Sequence, residues 1–227
     1  MKKSLSIFIV SAVVLSALFS VLYFSGVLTK EYIVTFYSND GTVLMVDRVK
    51  RNSSATPPSR PNMTYGSIFK CWDTDFSKVT EDLDVHPSCE TIKDKPNVIA
   101  IHSSYVSKDS SVTIPIQLCG DVCLSGLDIT IYYDENLIEL ESITEDKSVV
   151  INGEIPGRIK LNYISVENTV ADVDIANLQF YVKAKEGNII PISVEINGIY
   201  AFDDDLKKDK LIATEATIIN GTIYVLK

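Results

Sequence analysis

Beyond residue 30, apolar and polar residues alternate with a period of two. Val112, Ile114, Ile116 and Leu118 form one such set, and Leu127, Ile129, Ile131 and Tyr133 another. Ile159, Leu161 and Tyr163 follow the same rule. So do Leu178, Phe180, Val182 and Ala184, and then Ile190, Ile192, Val194 and Ile196. Side chains alternate across a sheet, so each set predicts one buried face of a strand. With the apolar segments 98–103, 136–143 and 217–226, eight or nine strands are expected after residue 97. Their spacing is that of a two-sheet sandwich large enough to bury its own core. Earlier, residues 32–37 and 43–49 flank Asn39-Asp40-Gly41-Thr42, a hairpin signal. A loop with Pro57, Pro58 and Pro61 follows, then residues 69–73 around Trp72, and a last strand over 83–91. No stretch after residue 30 keeps a helical period, so the chain is predicted mainly β.

The N-terminus breaks this pattern. Residues 5–28 are 24 positions without a charge, preceded by Lys2 and Lys3. At about 1.5 Å per residue such a helix crosses a hydrocarbon core of about 30 Å. It is longer than the apolar region of a secretory signal, and no Ala-x-Ala stands near its end. The expectation is a retained signal-anchor over 1–29, a single transmembrane helix in the cell membrane. The basic flank lies inside and the C-terminal domains are extracellular. Cleavage near Ser25-Gly26 is the alternative. No sorting motif follows the last predicted strand, which leaves attachment to the N-terminus. Residues 93–97, charged and carrying Pro96, suggest a boundary. The expected domains are therefore 1–29, 30–93 and 97–227.

Charge and cysteine content narrow the function. Of a formal net charge of −9, residues 96–227 carry −10. That acidity excludes nucleic acid and anionic lipid as partners. His86 and His102 are the only histidines, too few for a usual zinc site or a Ser-His-Asp triad. The chain is expected to be no enzyme and to need no cofactor or metal. Asp203-Asp204-Asp205 offers oxygens for Ca²⁺ but lacks the alternating spacing of an EF-hand, and a solvated loop is the plainer reading. Glu139 and Glu141 read as edge charges rather than a glycosidase pair. Four cysteines in an exported chain suggest two disulfides, and proximity favours Cys71–Cys89 and Cys119–Cys123; four free thiols are the alternative. Trp72, flanked by strand residues, reads as core rather than as a sugar platform.

Two family resemblances add to this. Val34-Thr-Phe-Tyr-Ser-Asn-Asp-Gly-Thr-Val-Leu44, Cys71-Trp72-Asp73 and Val79-Thr-Glu-Asp-Leu-Asp-Val85 resemble the hairpin, the Gly-Trp-Asp and the closing strand of the internalin-type B repeat. That resemblance implies a small β-grasp-like module serving as spacer or adhesive repeat. Cys71 replaces the family's glycine, and Cys89 lies in the closing strand, a joint departure that favours a bridge.

The second stretch is Val112-Thr-Ile-Pro-Ile-Gln-Leu118, Gly126-Leu-Asp-Ile-Thr-Ile-Tyr-Tyr-Asp134, Leu137-Ile-Glu-Leu140, Leu178-Gln-Phe-Tyr-Val-Lys-Ala-Lys185 and Ile219-Asn-Gly-Thr-Ile-Tyr-Val225. In this order it resembles the cohesin domain. The resemblance implies a nine-stranded jelly-roll β-sandwich. One sheet face would bind a dockerin, a calcium-loaded helical module on a partner protein such as a glycoside hydrolase.

The alternation then supplies a candidate face. With Leu127, Ile129 and Ile131 inward, Asp128, Thr130 and Tyr132 point outward, as do Lys160, Asn162 and Ile164 on the strand at 158–165. Asp128 matches an acidic contact residue of the family, whereas the family's neighbouring Asn falls on Gly126. An ordinary solvated sheet face is the plain alternative. The expected function is a membrane-anchored extracellular scaffolding protein holding a dockerin-bearing partner, with polysaccharide degradation as its setting. The alternatives are a sandwich that binds polysaccharide directly and a structural surface adhesin.

Overall fold

The computed structural model describes residues 30–64, 66–169, 172–202 and 211–227, together with Ser16 and Ser20. The expected membrane segment, 1–29, otherwise lies outside the described residues, as does the Asp203-Asp204-Asp205 run. Among the described residues no helix is long and apolar enough to cross a membrane.

The first strands build a small mixed unit. β1 (Glu31–Tyr37) and β2 (Val43–Lys50) pair antiparallel. Their turn is closed by Gly41 at φ 84° and by Asp40 Oδ1, which accepts the Thr42 N–H at 3.0 Å and its hydroxyl at 2.8 Å. The expected last strand divides in two. β4 (Leu83–Val85) lies parallel to β1, while β5 (Pro87–Thr91) pairs antiparallel with β3 (Ser67–Trp72). The switch falls at His86, whose N–H is taken by Asp73 Oδ1 at 2.9 Å, followed by Pro87, which has no N–H to give. Val34, Phe36, Phe69, Phe76 and Trp72 fill the core between these sheets. Phe36 and Phe69 meet the Trp72 ring edge-on at 5.2 and 5.3 Å. Trp72 is thus a core residue, 5% exposed.

The later strands form two sheets packed on one core of Ile, Leu, Val and Phe180. The five-stranded sheet runs β10 (Ile138–Glu145), β13 (Val173–Val182), β8 (Ser111–Cys119), β6 (Val98–Ile101), β16 (Thr217–Ile219). The seven-stranded sheet runs β11 (Val149–Asn152), β12 (Arg158–Thr169), β9 (Leu124–Tyr132), β14 (Ile189–Phe202), β17 (Gly221–Val225), β7 (Ser104–Val106). A further strand, β15 (Leu211–Ala213), pairs with β14.

Among the described residues, twelve strand segments therefore stand where eight or nine strands were expected. Two of the extra segments arise because the first and last strands each cross between sheets, β6 into β7 and β16 into β17, pairing parallel in both. The crossing is tight. A Cβ on Gly221 would stand 2.6 Å from Ile101 Cγ2 and 2.9 Å from the carbonyls of Ile101 and His102. The third extra segment is β15. All the alternating sets read from the sequence fall on β8, β9, β12, β13 and β14 with the predicted side inward.

The disulfide expectation is corrected, because all four cysteines are free. Cys119 is buried with its thiol on the Val98 carbonyl at 3.8 Å, while Cys123, beyond the left-handed Gly120, is exposed. Burial pushes the Cys119 thiol up to about 12. Cys71 and Cys89 sit on paired strands, but a register shift sets Cys89 opposite Phe69 and Cys71 opposite Ser88. The Cys89 thiol turns to Asn39 Oδ1 at 3.5 Å.

Candidate functional site

The six predicted residues do meet on one surface, the outer side of the seven-stranded sheet. β9 and β12 pair Lys160 with Thr130 and Asn162 with Asp128, and Ile164 lies opposite Gly126. Tyr132 faces Arg158 at the end of the ladder. Their exposure is uneven. Ile164 is 68% exposed and Tyr132 40%, but Thr130 is only 3% exposed. The expectation that Thr130 points to solvent is corrected by strand β14.

β14 runs on the other side of β9 and carries a bulge between Ile196 and Gly198, so Asn197 is the extra residue. The bulge aims the Asn197 carboxamide back across β9. Its Nδ2 donates to Asp128 Oδ1 and to Thr130 Oγ1, both at 3.0 Å, and covers the threonine. On the same strand Glu195 lies opposite Thr130, and its Oε2 accepts the Tyr132 hydroxyl at 2.8 Å. That hydrogen bond holds the Tyr132 phenol above its ordinary range. Tyr200 lies over two glycines. A Cβ at Gly126 would touch its ring at 3.5 Å, and one at Gly198 would meet its hydroxyl at 2.8 Å.

On the far side, β11 adds Val150 beside Asn162, 69% exposed. Val166, two residues beyond Ile164, is 88% exposed. The face therefore grades from a fixed polar network on β9 and β14 to a bare aliphatic patch on β11 and β12. Such patches mark interaction surfaces when rimmed by polar groups. Glu195, Asn197, Tyr200, Val150 and Val166 were missed from the sequence. The outward phase of Glu195 was readable from β14's alternation, and Asn197-Gly198 inside a strand is a bulge signal. The neighbour relation of β14, β9, β12 and β11 was not readable.

No group of acidic, histidine or cysteine side chains among the described residues is arranged to hold a metal ion. Glu139 and Glu141 are exposed, held by Lys183 and Gln179 respectively.

The cohesin domain family model matches residues 98–225. The chain belongs to the cohesin family. The match covers more than half of the chain and all of the sandwich's central strands. Cohesin domains are non-catalytic binding modules, and the expectation of a non-enzyme agrees with the family. No curated protein matches the chain in sequence.

Solved structures similar to this cohesin include the seventh ScaB type I cohesin from Pseudobacteroides cellulosolvens. It is 15% identical over 56% of this chain and 90% of that one, with a TM-score of 0.49. The sixth cohesin of scaffoldin B from Acetivibrio cellulolyticus, in complex with a Cel5 dockerin mutant, is 23% identical over 57% of this chain and 99% of that one, TM-score 0.47. A non-cellulosomal cohesin from the archaeon Archaeoglobus fulgidus is 16% identical over 58% and 92%, TM-score 0.46.

Proposed function

We propose that this protein holds a dockerin-bearing partner on the outer face of β11, β12, β9 and β14. The observation that carries the reading is membership of the cohesin family together with a face whose polar half is prearranged and whose aliphatic half is left exposed by the described residues. A fixed polar network costs little ordering entropy on association, and the bare aliphatic patch supplies apolar area to bury. The six predicted residues act here in different roles. Ile164 offers apolar area, and Asp128, Asn162 and Lys160 offer polar contacts. Tyr132 is held to Glu195, and Thr130 supports from below. The tied positions of Tyr132 and Tyr200 leave no free aromatic strip, which does not favour direct polysaccharide binding.

The wider setting belongs to the same proposal. The protein is anchored by residues 1–29 with its folded part outside the cell. The uncharged run behind Lys2 and Lys3 supports this. Residues 30–93 act as the B-repeat-like part of the ectodomain. Bound enzymes of polysaccharide breakdown are the intended cargo, and calcium enters through the dockerin.

Calorimetry of the full chain against dockerins encoded in the same genome tests the partner. Saturable binding that EDTA abolishes is expected. Absence of binding by every such dockerin refutes it. Mass spectrometry of the membrane fraction tests the anchor, which requires an intact N-terminal peptide.

A further inference from the structure

The sandwich has an open side where its first and last strands lie. β7 ends the seven-stranded sheet and β16 ends the five-stranded one. Unpaired edge strands are templates for pairing with other chains, and natural proteins cover them.

Here the cover comes from residues 30–92. The Ser59 carbonyl accepts the Tyr105 N–H at 2.7 Å and the Ser104 hydroxyl at 3.3 Å, so a loop of the small unit pairs with β7. The Tyr105 side chain crosses into that unit. Its hydroxyl accepts the Trp72 N–H at 3.3 Å, and its ring lies 5.9 Å from Phe76 and 6.3 Å from Phe69. Behind it, Tyr224 of β17 stacks at 4.5 Å, and Leu226 packs against the same aromatic cluster.

Beside β16 the arrangement repeats with aliphatic residues. Ile68 and Ile92 of the small unit share a buried cluster with Val98, Ala100, Cys119 and Ile219 of the sandwich. Every residue of β6 is buried on both faces in consequence. The connecting residues 93–97 are pinned as well. Lys95 N–H donates to the Ile92 carbonyl and its own carbonyl accepts the Asp121 N–H, both at 3.0 Å. Lys95 Nζ meets Glu90 at 2.7 Å. Asn97 accepts the Cys123 N–H at 2.7 Å and donates to the Glu215 carbonyl at 2.9 Å.

We infer that residues 30–92 are a built-in cover for the sandwich's open edge, so that the two parts unfold as one cooperative unit and the sandwich is not independent of what precedes it. This goes beyond the cohesin match, which begins at residue 98, and does not depend on the identity of the partner. Separate modules on a linker share few contacts across the boundary. Here two apolar clusters, a strand-edge hydrogen bond and the linker itself cross it.

Trp72 is the only tryptophan and sits in the core of the small unit against Tyr105, so its fluorescence reports that unit and its contact with the sandwich. Far-UV circular dichroism is dominated by the sandwich strands. For the full chain the two melting curves should superimpose. Ile131→Val, in the sandwich core on β9, should lower both midpoints by the same roughly 2–4 °C. A wild-type melt in two steps overturns the inference. So does an Ile131→Val variant whose dichroism midpoint falls while its Trp72 midpoint stays. Native trypsin digestion gives a reading without any substitution. Lys93, the linker's cleavable tryptic site, should stay uncut while the fold is intact, and cleavage there under native conditions overturns the inference as well.

Discussion

Replacing Ile164 by alanine separates the aliphatic patch from the polar network as the source of affinity. The substitution removes three carbons, and a buried methylene is worth about 0.8 kcal/mol, for about 2.4 kcal/mol on full burial. The free protein already leaves Ile164 68% exposed, so only about that share remains to be gained on docking. The expected loss is about 1.6 kcal/mol, about 15-fold in Kd. Folding stability should change by no more than about 0.5 kcal/mol, because an exposed side chain leaves little cavity. Val150→Ala removes two carbons at 69% exposure and should cost about 1.1 kcal/mol by the same reasoning. Val43 on β2 is 55% exposed in the small unit and remote from the face, so Val43→Ala should leave Kd unchanged. The assay is calorimetry of each full-chain variant against a calcium-loaded dockerin that binds the wild type, with a thermal melt as the folding control. An Ile164→Ala Kd within twofold of wild type would show that the patch stays wet in the complex.

Three further outcomes follow from the geometry. Gly221→Ala should lower stability by about 1–3 kcal/mol, because the methyl meets two backbone carbonyls that cannot move aside; an unchanged urea midpoint refutes the crossing as drawn. His102 is held below its ordinary value of 6.5 by burial and by the Arg60 guanidinium, against the hydrogen bond it donates to Gln117 Oε1 and the Asp174 charge. A group harder to protonate folded than unfolded contributes stability that is full above about pH 6.5 and is lost as pH falls below it. The urea midpoint should therefore drop between about pH 7 and 5.5, and His102→Gln should flatten that drop. The carboxylates held low, among them Asp40, Asp75, Glu90 and Asp146, act only at more acid pH. Alkylation of unreduced native protein should label Cys123 first and Cys119 only after denaturation, with all four thiols recovered; a Cys71–Cys89 or Cys119–Cys123 peptide would contradict the free thiols seen here.

The sequence-based reading succeeded where burial alone decides the pattern. Ile129 and Ile131, or Leu178 and Phe180, must face a core on one side and water on the other, so a period of two betrays both strand and face. It failed where one segment serves two sheets. Residues 98–103 and 217–226 each read as a single strand, yet the chain changes sheet at His102-Ser103, continuing as β7, and at Asn220. The signal there is only Gly221, whose missing side chain lets two strands cross, and a lone glycine in a strand has several meanings. Likewise 83–91 looked continuous because its composition is. The division at His86 depends on Asp73, thirteen residues away, accepting the His86 N–H.

The candidate face shows the same limit at the level of function. Alternation along β9 and β12 put all six residues on one side of the sheet, as the pairing has them, but it says nothing about what lies beside them. Thr130 was read as exposed because nothing in residues 124–132 hints at Asn197, which reaches it from a bulge on another strand. Tyr132 was read only as an outward side chain of the face, and Glu195 takes its hydroxyl. In both cases β14 converts a side chain that sequence would spend on a partner into part of the support. By elimination this moves the available apolar area outward to Ile164, Val166 and Val150, on β11 and β12, which do not pair with β14 in the sheet. Gly126 fits the same account. A Cβ there would touch Tyr200 at 3.5 Å, so β14 covers this position too and the exposed apolar area lies toward β11 and β12.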